Sequence, residues 1–308
     1  MENLIIQDFP ELRDPPLVMA FGGWPDAGEG ATQAVKHMIR ALNATKFAEI
    51  DPEEFYDFTQ TRPNVMLTQS GARRVQWPTN RFYYWQNEEG ERDLALFVGI
   101  EPNLRWRAFA NLVMEVMRRI NSHSIFHMGA LLDAVPHTRE TRVTGSSNSP
   151  QWKSQLETLG AHSSNYEGPT GITSAIMEAC NLRGYSYASV WGHAPHYLHA
   201  TPNFKVSHAL LTILNQLLKL PLRIEEMLPK VAAFEREVEN VVAQDDQIQA
   251  YVKRLEEHFD SVFSRPQGSG EEIPSPEEVL QDLETFLKDQ QRFKNGEEEL
   301  GEDDMPQA

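Results

Sequence analysis

The apolar residues of the chain follow two alternating periodicities up to about residue 220. Runs of consecutive apolar residues, typical of strands buried on both faces, occur at 17–21, 93–99, 124–133 and 187–193. Between these runs, apolar residues recur every three or four positions, as on one face of an amphipathic helix. Strands that alternate with helices predict an α/β fold with a mainly parallel sheet flanked by helices.

Less pronounced patterns predict further elements between and around these runs. Additional strands are predicted at 3–8, within 47–58 around Glu54–Phe58, and at 141–148. Residues 65–86 alternate and are rich in aromatic side chains, which is typical of exposed-edge strands or a hairpin. The helical stripes predict helices at 27–43, 104–121, 151–159, 172–181 and 203–220.

The pattern changes after Pro221, where apolar residues keep helical spacing without strand-like runs. Two amphipathic helices, expected to be antiparallel, are predicted in this region. A linker rich in Pro, Gly, Ser and Glu follows, and Ser275-Pro-Glu-Glu278 then has the start signal of a helix. We therefore predict an α/β core over 1–220, a helical pair over 221–263, and an acidic linker and tail over 264–308, with a short amphipathic helix near 276–293.

The composition disfavours several classes of function but does not identify a reaction. The chain of 308 residues carries a net charge of −17, and residues 264–308 contribute −9 of it through 13 acidic and 4 basic residues. Such a charge disfavours nucleic acid as a partner. The single cysteine, Cys180, excludes an intramolecular disulfide and suggests a small buried apolar residue. No signal peptide or membrane-length apolar run is visible, so we expect a cytoplasmic protein without a membrane partner.

The turn after the first long apolar run is the most informative stretch of the sequence. Gly22 and Gly23 allow a sharp turn, and Asp26 with Glu29 forms a capping-box pattern for the next helix. Glu29 stands where a P-loop needs lysine, and Gln33 stands where a dinucleotide fingerprint needs a small residue. Because the two acids would also repel phosphate, we expect a structural turn or an interaction surface here.

Three motifs occur in a defined order along the chain. They are Phe21-Gly-Gly-Trp-Pro-Asp-Ala-Gly28, Tyr166-Glu-Gly-Pro-Thr-Gly-Ile172, and Val190-Trp-Gly-His-Ala-Pro-His-Tyr197 followed by the helix at 203–220. Over roughly residues 1–260 this ordered set resembles the PAC2 family, named for proteasome assembly chaperone 2, in its bacterial-type members. The resemblance implies a phosphorylase/hydrolase-like α/β core, a C-terminal helical pair, homo-oligomerisation, and an assembly-chaperone or proteasome-linked role without an established reaction.

We therefore expect a protein-binding module or assembly chaperone that acts as a homo-oligomer, a trimer on the family resemblance. The aromatic run Phe82–Trp85 and the helices after Pro221 offer apolar surface for such an assembly. Its partners would be itself and either proteasome subunits or another protein complex. An enzyme that uses the strand-end cleft, as a hydrolase or a carboxylate–amine ligase, and a small-molecule sensor remain the alternatives. We expect no cofactor.

The candidate cleft or interaction surface lies where the predicted strands end, because parallel α/β sheets bind ligands at that edge. Its candidate residues are Gly22, Gly23, Trp24, Asp26, Gly28, Asp133, Tyr166, Gly168, Pro169, Gly171, His193, Pro195, His196 and Tyr197.

Two kinds of chemistry are conceivable among these residues. His193, His196 and His199 are spaced by three and could bind zinc. Pro195, however, favours a loop in which the ring nitrogens of these histidines bond to backbone carbonyls. We therefore expect no metal. Asp133 could orient a histidine as in a catalytic triad, although no G-x-S-x-G elbow supplies a nucleophile. Glu101, at another strand end, is predicted to cap the helix that follows it.

Overall fold

The computed structural model describes residues 3–68, 70–164, 166–198 and 202–263, with the backbone only at Phe263. The strands are β1 (Leu4–Ile6), β2 (Leu17–Gly22), β3 (Thr45–Ile50), β4 (Asn64–Leu67), β5 (Arg73–Gln76), β6 (Asn80–Trp85), β7 (Leu94–Ile100), β8 (Ser124–Asp133), β9 (Val143–Ser147) and β10 (Ser186–Pro195). The α-helices are α1 (Gly30–Ala41), α2 (Trp106–Arg119), α3 (Pro150–Thr158), α4 (Ile172–Asn181), α5 (Phe204–Leu218), α6 (Leu228–Val242) and α7 (Asp246–Phe263). The linker, tail and short helix predicted after residue 263 lie outside the described residues.

The main sheet has eight strands in the order β1-β3-β6-β7-β2-β8-β10-β9. Its four central strands, β7, β2, β8 and β10, are parallel to one another. The strands on either side of them pair antiparallel. The predicted α/β fold with helices on a parallel sheet is confirmed, and the antiparallel strands extend that sheet at both edges.

Helices cover both faces of the sheet, which explains why the central strands are apolar without interruption. One core contains Phe21, Phe97 and Phe109 and lies under α2 and α4. The other contains Val18 and Met128 and lies under α1 and α5. Because successive side chains of a strand point to opposite faces, a strand between two helical layers must be apolar at every position.

Helix α5 approaches the sheet and α1 unusually closely, and two glycines make this possible. A Cβ atom on Gly192 of β10 would lie 2.6 Å from Cγ1 of Val206, and one on Gly30 of α1 would lie 2.5 Å from the same atom. The Ser207 hydroxyl donates a hydrogen bond to the Gly30 carbonyl at 2.7 Å. Val206 therefore packs into space that any larger residue at either glycine would occupy.

The strand predicted around Glu54–Phe58 is wrong, because the extended segment is β3 and residues after Ile50 form turns. Phe55 and Tyr56 are nevertheless buried. The Tyr56 hydroxyl lies 2.9 Å from Oδ1 of Asn80 and 2.5 Å from the Ile100 carbonyl oxygen. Phe55 and Tyr56 are therefore apolar because they belong to a buried turn, not because they belong to a strand.

The predicted exposed-edge strand at Arg81–Gln86 is also corrected, because β6 lies inside the sheet between β3 and β7. Its aromatic residues contribute to packing, since Phe82 is fully buried and its ring contacts the ring of Phe97. The hairpin alternative applies instead to β4 and β5, which form a separate two-stranded antiparallel sheet.

The two helices after α5 share a small apolar core of their own, made by Phe234, Val238, Val242 and Val252.

Contacts divide the chain into two units, residues 1–256 and 257–308. Within the described part of the chain, none of the helices combines the length and the apolar character that crossing a membrane requires. The boundaries at 220 and 263 stay predictions.

Candidate functional site

The carboxyl ends of the four central strands meet at one edge of the sheet. The chain leaves β2 toward α1, on the face that also carries α5, and leaves β7 toward α2, on the face that carries α4. Because β2 and β7 are neighbours, their connections diverge to opposite faces at this point. Open α/β sheets bind their ligands in the crevice that such a divergence creates.

The turn after β2 forms one wall of this crevice. Gly23 has a φ of 104°, a backbone conformation that side chains strongly disfavour. The turn then exposes the Trp24 indole, whose side chain is 63% accessible. The Asp26 amide donates back to the Gly23 carbonyl at 3.1 Å and closes the turn.

Asp26 occupies the N-terminus of α1. Its carboxylate accepts hydrogen bonds from the amides of Ala31 at 2.6 Å and Thr32 at 3.2 Å, and from the Thr32 hydroxyl at 2.5 Å. Burial nevertheless raises the pKa of Asp26 to about 6, since desolvation of the charged form outweighs these bonds.

The predicted capping box is wrong in its details. A 3₁₀ turn over Ala27–Glu29 precedes the helix, so Asp26 caps α1 from outside the turn rather than from the adjacent position. Glu29 has a left-handed φ of 55°, and its carboxylate accepts from the Gln33 side chain at 3.0 Å instead of reaching back.

Glu101 fills the N-terminus of α4 in the same manner. Its Oε1 accepts from the Ile172 amide at 2.8 Å, and burial raises the pKa of the carboxyl against the effect of that bond. Gly171 is required next to it, because a Cβ there would collide with the carboxylate and also meet Trp24. The sequence prediction that Glu101 caps the next helix is wrong, since it caps α4, about seventy residues later.

Helix α5, which also begins at this edge, is capped as well. Oδ1 of Asn203 accepts from the Val206 amide at 3.1 Å. The Asn203 amide in turn donates to the Gly28 carbonyl at 2.7 Å, which ties this cap to the first turn. A helix N-terminus attracts anions through its free N–H groups. In α1, α4 and α5, side chains of this chain already engage such groups.

A second group of predicted residues lies at the ends of β8 and β10. Nδ1 of His193 lies 2.6 Å from Oδ2 of Asp133, and its Nε2 lies 3.1 Å from the Thr144 hydroxyl on β9. Burial lowers the pKa of His193 although Asp133 opposes this effect. We assign the neutral ring with Nδ1–H donating to Asp133, so that Nε2 accepts from Thr144.

The order carboxylate–imidazole–hydroxyl is that of a catalytic triad. Burial would raise the pKa of Asp133, but the His193 bond and the Arg142 guanidinium, 3.5 Å away, hold it below its ordinary value. The Thr144 side chain is buried, and the next amide, of Gly145, already donates to the His162 carbonyl at 3.0 Å. A cavity of about 10 Å³ beside His193 has room for about one water molecule.

The histidines near the end of β10 bond to protein groups. His196 donates from Nδ1 to the Asp133 carbonyl at 3.0 Å, and its Nε2 lies 3.0 Å from the Tyr251 hydroxyl. The Tyr197 hydroxyl accepts from the His137 amide at 2.8 Å. His199 lies outside the described residues. Among the residues described, no group of three or more His, Cys, Asp or Glu side chains is arranged to hold a metal ion.

Exposed apolar side chains surround the same edge of the sheet. Trp24 follows β2, Leu104 follows β7, Leu132 is near the end of β8, and Tyr166 lies in the loop that leads to α4. We call these four residues the carboxyl-edge surface. Tyr166 is held by a hydrogen bond from its hydroxyl to the Pro169 carbonyl at 3.0 Å.

The predicted site residues thus fall into two groups. The first turn and the 166–171 loop adjoin through Trp24, Gly171 and Glu101. Asp133, with the residues from His193 to Tyr197, forms the other. Sequence reasoning missed Thr144, which reaches His193 only because β9 pairs with β10 antiparallel, a long-range pairing for which the sequence has no signal.

Comparison with known proteins gives consistent matches. A profile of the PAC2 family matches residues 20–242. A PAC2 family protein from Streptomyces avermitilis is 37% identical, with 78% of this chain and all of that chain covered and a TM-score of 0.70. A proteasome-assembly chaperone homologue from Mycobacterium tuberculosis is 34% identical, with 77% and 99% covered and a TM-score of 0.69.

A more distant structure shares the fold. An archaeal proteasome activator from Pyrococcus furiosus is 21% identical, with 78% of this chain and 99% of that chain covered and a TM-score of 0.63. No curated protein matches the chain.

Proposed function

Because the chain belongs to the PAC2 family, we propose that it is a protein-binding module that acts as an assembly chaperone. It works as a homo-oligomer, a trimer, in the cytoplasm. The similar protein from Mycobacterium tuberculosis is called a proteasome-assembly chaperone homologue, and this name supports proteasome subunits, or another multi-subunit complex, as the partner.

The observation that carries this proposal is the chemistry of the carboxyl edge. A phosphate or nucleotide site in this fold uses free N–H groups at helix N-termini and an open crevice. Here Asp26, Glu101 and Asn203 take hydrogen bonds at the N-termini of α1, α4 and α5, whereas α2, which follows β7, has no side-chain cap. The carboxyl-edge surface around them is exposed and apolar, which is typical of protein-binding surfaces.

The test is capture of partners by the purified protein and by a carboxyl-edge variant. We expect Trp24→Ser with Leu132→Ser to weaken partner binding at least tenfold, since central aromatic and aliphatic anchors dominate interfaces. Leu228→Ser with Val241→Ser is the control, because both residues are exposed apolar side chains on α6 and neither belongs to the carboxyl-edge surface. Equal binding by both variants would contradict a role for the carboxyl edge.

The oligomer is tested separately by multi-angle light scattering at micromolar concentration. The expected mass is three times the 35.1 kDa of one chain. A monomeric mass would refute the oligomer while leaving partner capture as an independent result.

A second candidate, a hydrolase, is favoured by one observation, the hydrogen-bonded series Asp133–His193–Thr144. Under the binding-module proposal, hydrolysis of ester substrates is absent and a fluorophosphonate does not label Thr144. Titration with ATP or NAD gives no heat. Labelling that Thr144→Val abolishes, while Ser146→Ala keeps it, would support the hydrolase instead.

A further inference from the structure

Strands β4 and β5 project from the sheet as a two-stranded ribbon. We call residues 62–77 the arm. Val65 pairs with Val75, and Leu67 pairs with Arg73, so these four side chains share one face of the ribbon. All residues of both strands are exposed, including Val65 at 64% and Leu67 at 72%.

The base of the arm is fixed although its strands are exposed. The Trp77 and Phe58 rings meet edge to face with centroids 4.9 Å apart, and Pro78 is buried. The arm therefore presents its apolar residues at a defined position. An isolated two-stranded hairpin is marginally stable in water, so an arm of this kind gains stability when a further surface covers it.

The arm carries the opposite charge to the chain. Between Asp57 and Glu88 the sequence has four arginines and no acidic residue, whereas the whole chain carries −17. Within the described residues, none of the carboxylates forms an ion pair with Arg62, Arg73 or Arg74. Charge complementarity favours an acidic surface as the partner of this basic and apolar ribbon.

A cleft of about 730 Å³ separates the arm from the end of β3. Met66, Arg74 and Gln76 line it from the face of the arm opposite Val65, and Val75 and Trp77 of the arm line it as well. The other wall includes Asp51 and Glu53, besides Glu49, whose carboxylate already pairs with Lys46 and Arg81. The described residues offer no basic group in an ion pair to Asp51 or Glu53.

We propose that the arm of one copy lies against the acidic wall of the cleft of a second copy of this chain. The contact buries Val65 and Leu67, and it brings Arg73, which shares their face, to Glu53 of the neighbouring copy. The inference rests on the proposed homo-oligomer and identifies the surface that forms it.

A second copy fits the arm for two reasons. Outside residues 58–87 the chain carries −21, so every copy offers the acidic surface that the arm requires. The arm and the acidic wall are also different surfaces of one molecule. A contact between two different surfaces repeats head to tail, and it closes into a ring such as a trimer when the rotation between neighbouring copies closes.

The test measures molar mass by sedimentation across a dilution series. Val65→Ser with Leu67→Ser is expected to raise the dissociation constant of the oligomer at least tenfold. The control, Leu228→Ser with Val241→Ser, removes apolar side chains that are 50% and 57% exposed on α6 and is expected to leave the mass unchanged. An oligomer of unchanged affinity in the arm variant overturns the inference but leaves the proposed function intact.

A charge exchange tests the pairing itself. Arg73→Glu and Glu53→Arg should each weaken association severalfold, and both changes in one chain should restore it, because the pair is re-formed with reversed signs. Arg107→Glu, exposed on α2, is the control for a change of net charge. Failure of the double variant to recover would exclude the Arg73–Glu53 contact. Circular dichroism checks that each variant is folded.

Discussion

At Asp26, burial and hydrogen bonding act in opposite directions on the pKa of one carboxyl group. Asp26 is buried, and its carboxylate accepts three hydrogen bonds at the start of α1. These bonds favour the ionised form, but burial disfavours it more, and the pKa is about 6 instead of 3.8. The folded protein therefore holds a proton on Asp26 at pH values where the unfolded chain has lost it.

This difference predicts how stability depends on pH. Between about pH 4 and pH 6 the folded state binds more protons at Asp26, so its contribution to the unfolding free energy falls as pH rises. The total change is about 3 kcal/mol. In Asp26→Asn this dependence is absent, so the stability of the variant relative to the natural chain rises from pH 4 to pH 7. Urea unfolding at a series of pH values measures it, and a constant difference would contradict it.

Cys180 shows how far a single residue can be predicted from sequence. The helical stripe predicts a buried, apolar position, and the side chain is indeed buried beside Met114, with its pKa raised to about 12 by burial. Glu101 shows the limit. Its position at a strand end predicts a helix cap, but only the folded chain brings the start of α4 to it.

At the scale of elements, the fit between β10 and α5 depends on Gly192. The distance of 2.6 Å from a Cβ at this position to Cγ1 of Val206 is far inside a normal contact. Gly192 lies in a strand with ordinary backbone angles, so its conformation would allow other residues. Glycine is required there because Val206 leaves no room for a side chain.

We predict that Gly192→Ala destabilises the protein by about 1–3 kcal/mol, as overpacked cores do. Val206→Ala removes the colliding methyl group, so the two substitutions should cost less together than the sum of their single effects. Chemical unfolding of the four proteins of this cycle gives the coupling. Additive effects would show that the neighbours absorb the methyl group without strain.

Strands and helices could be predicted where their apolar pattern is continuous. Strand β8 and helix α4 have the predicted bounds. The apolar run of β8 and the helical spacing of α4 each continue over the whole element. The segment around Phe55 misled the prediction since a buried turn is as apolar as a strand. The place of β6 inside the sheet was also beyond prediction, because strand order depends on pairing between distant segments.

At the scale of the molecule, the order of the central strands makes the core indivisible. Strand β2 lies between β7 and β8, and β10 pairs with β8 along ten residues. A chain break between these strands would separate neighbours that share both apolar layers.

Limited proteolysis is therefore expected to leave no stable fragment with an end between residues 90 and 200. The composition of the linker predicts instead a fragment that ends near residue 263. Mass spectrometry of the products identifies the ends. A stable product cut within 90–200 would contradict a single core over residues 1–220.

The position of the Glu101 carboxylate indicates how this fold could be converted into an anion receptor. It occupies the place beside the Ile172 amide that a bound sulfate or phosphate would take in an anion receptor. Truncation of this one side chain would leave the amide facing an empty crevice, with Trp24 beside it as a ready aromatic wall. For protein engineers, the shortest route from this binding scaffold to a receptor for small anions begins at Glu101.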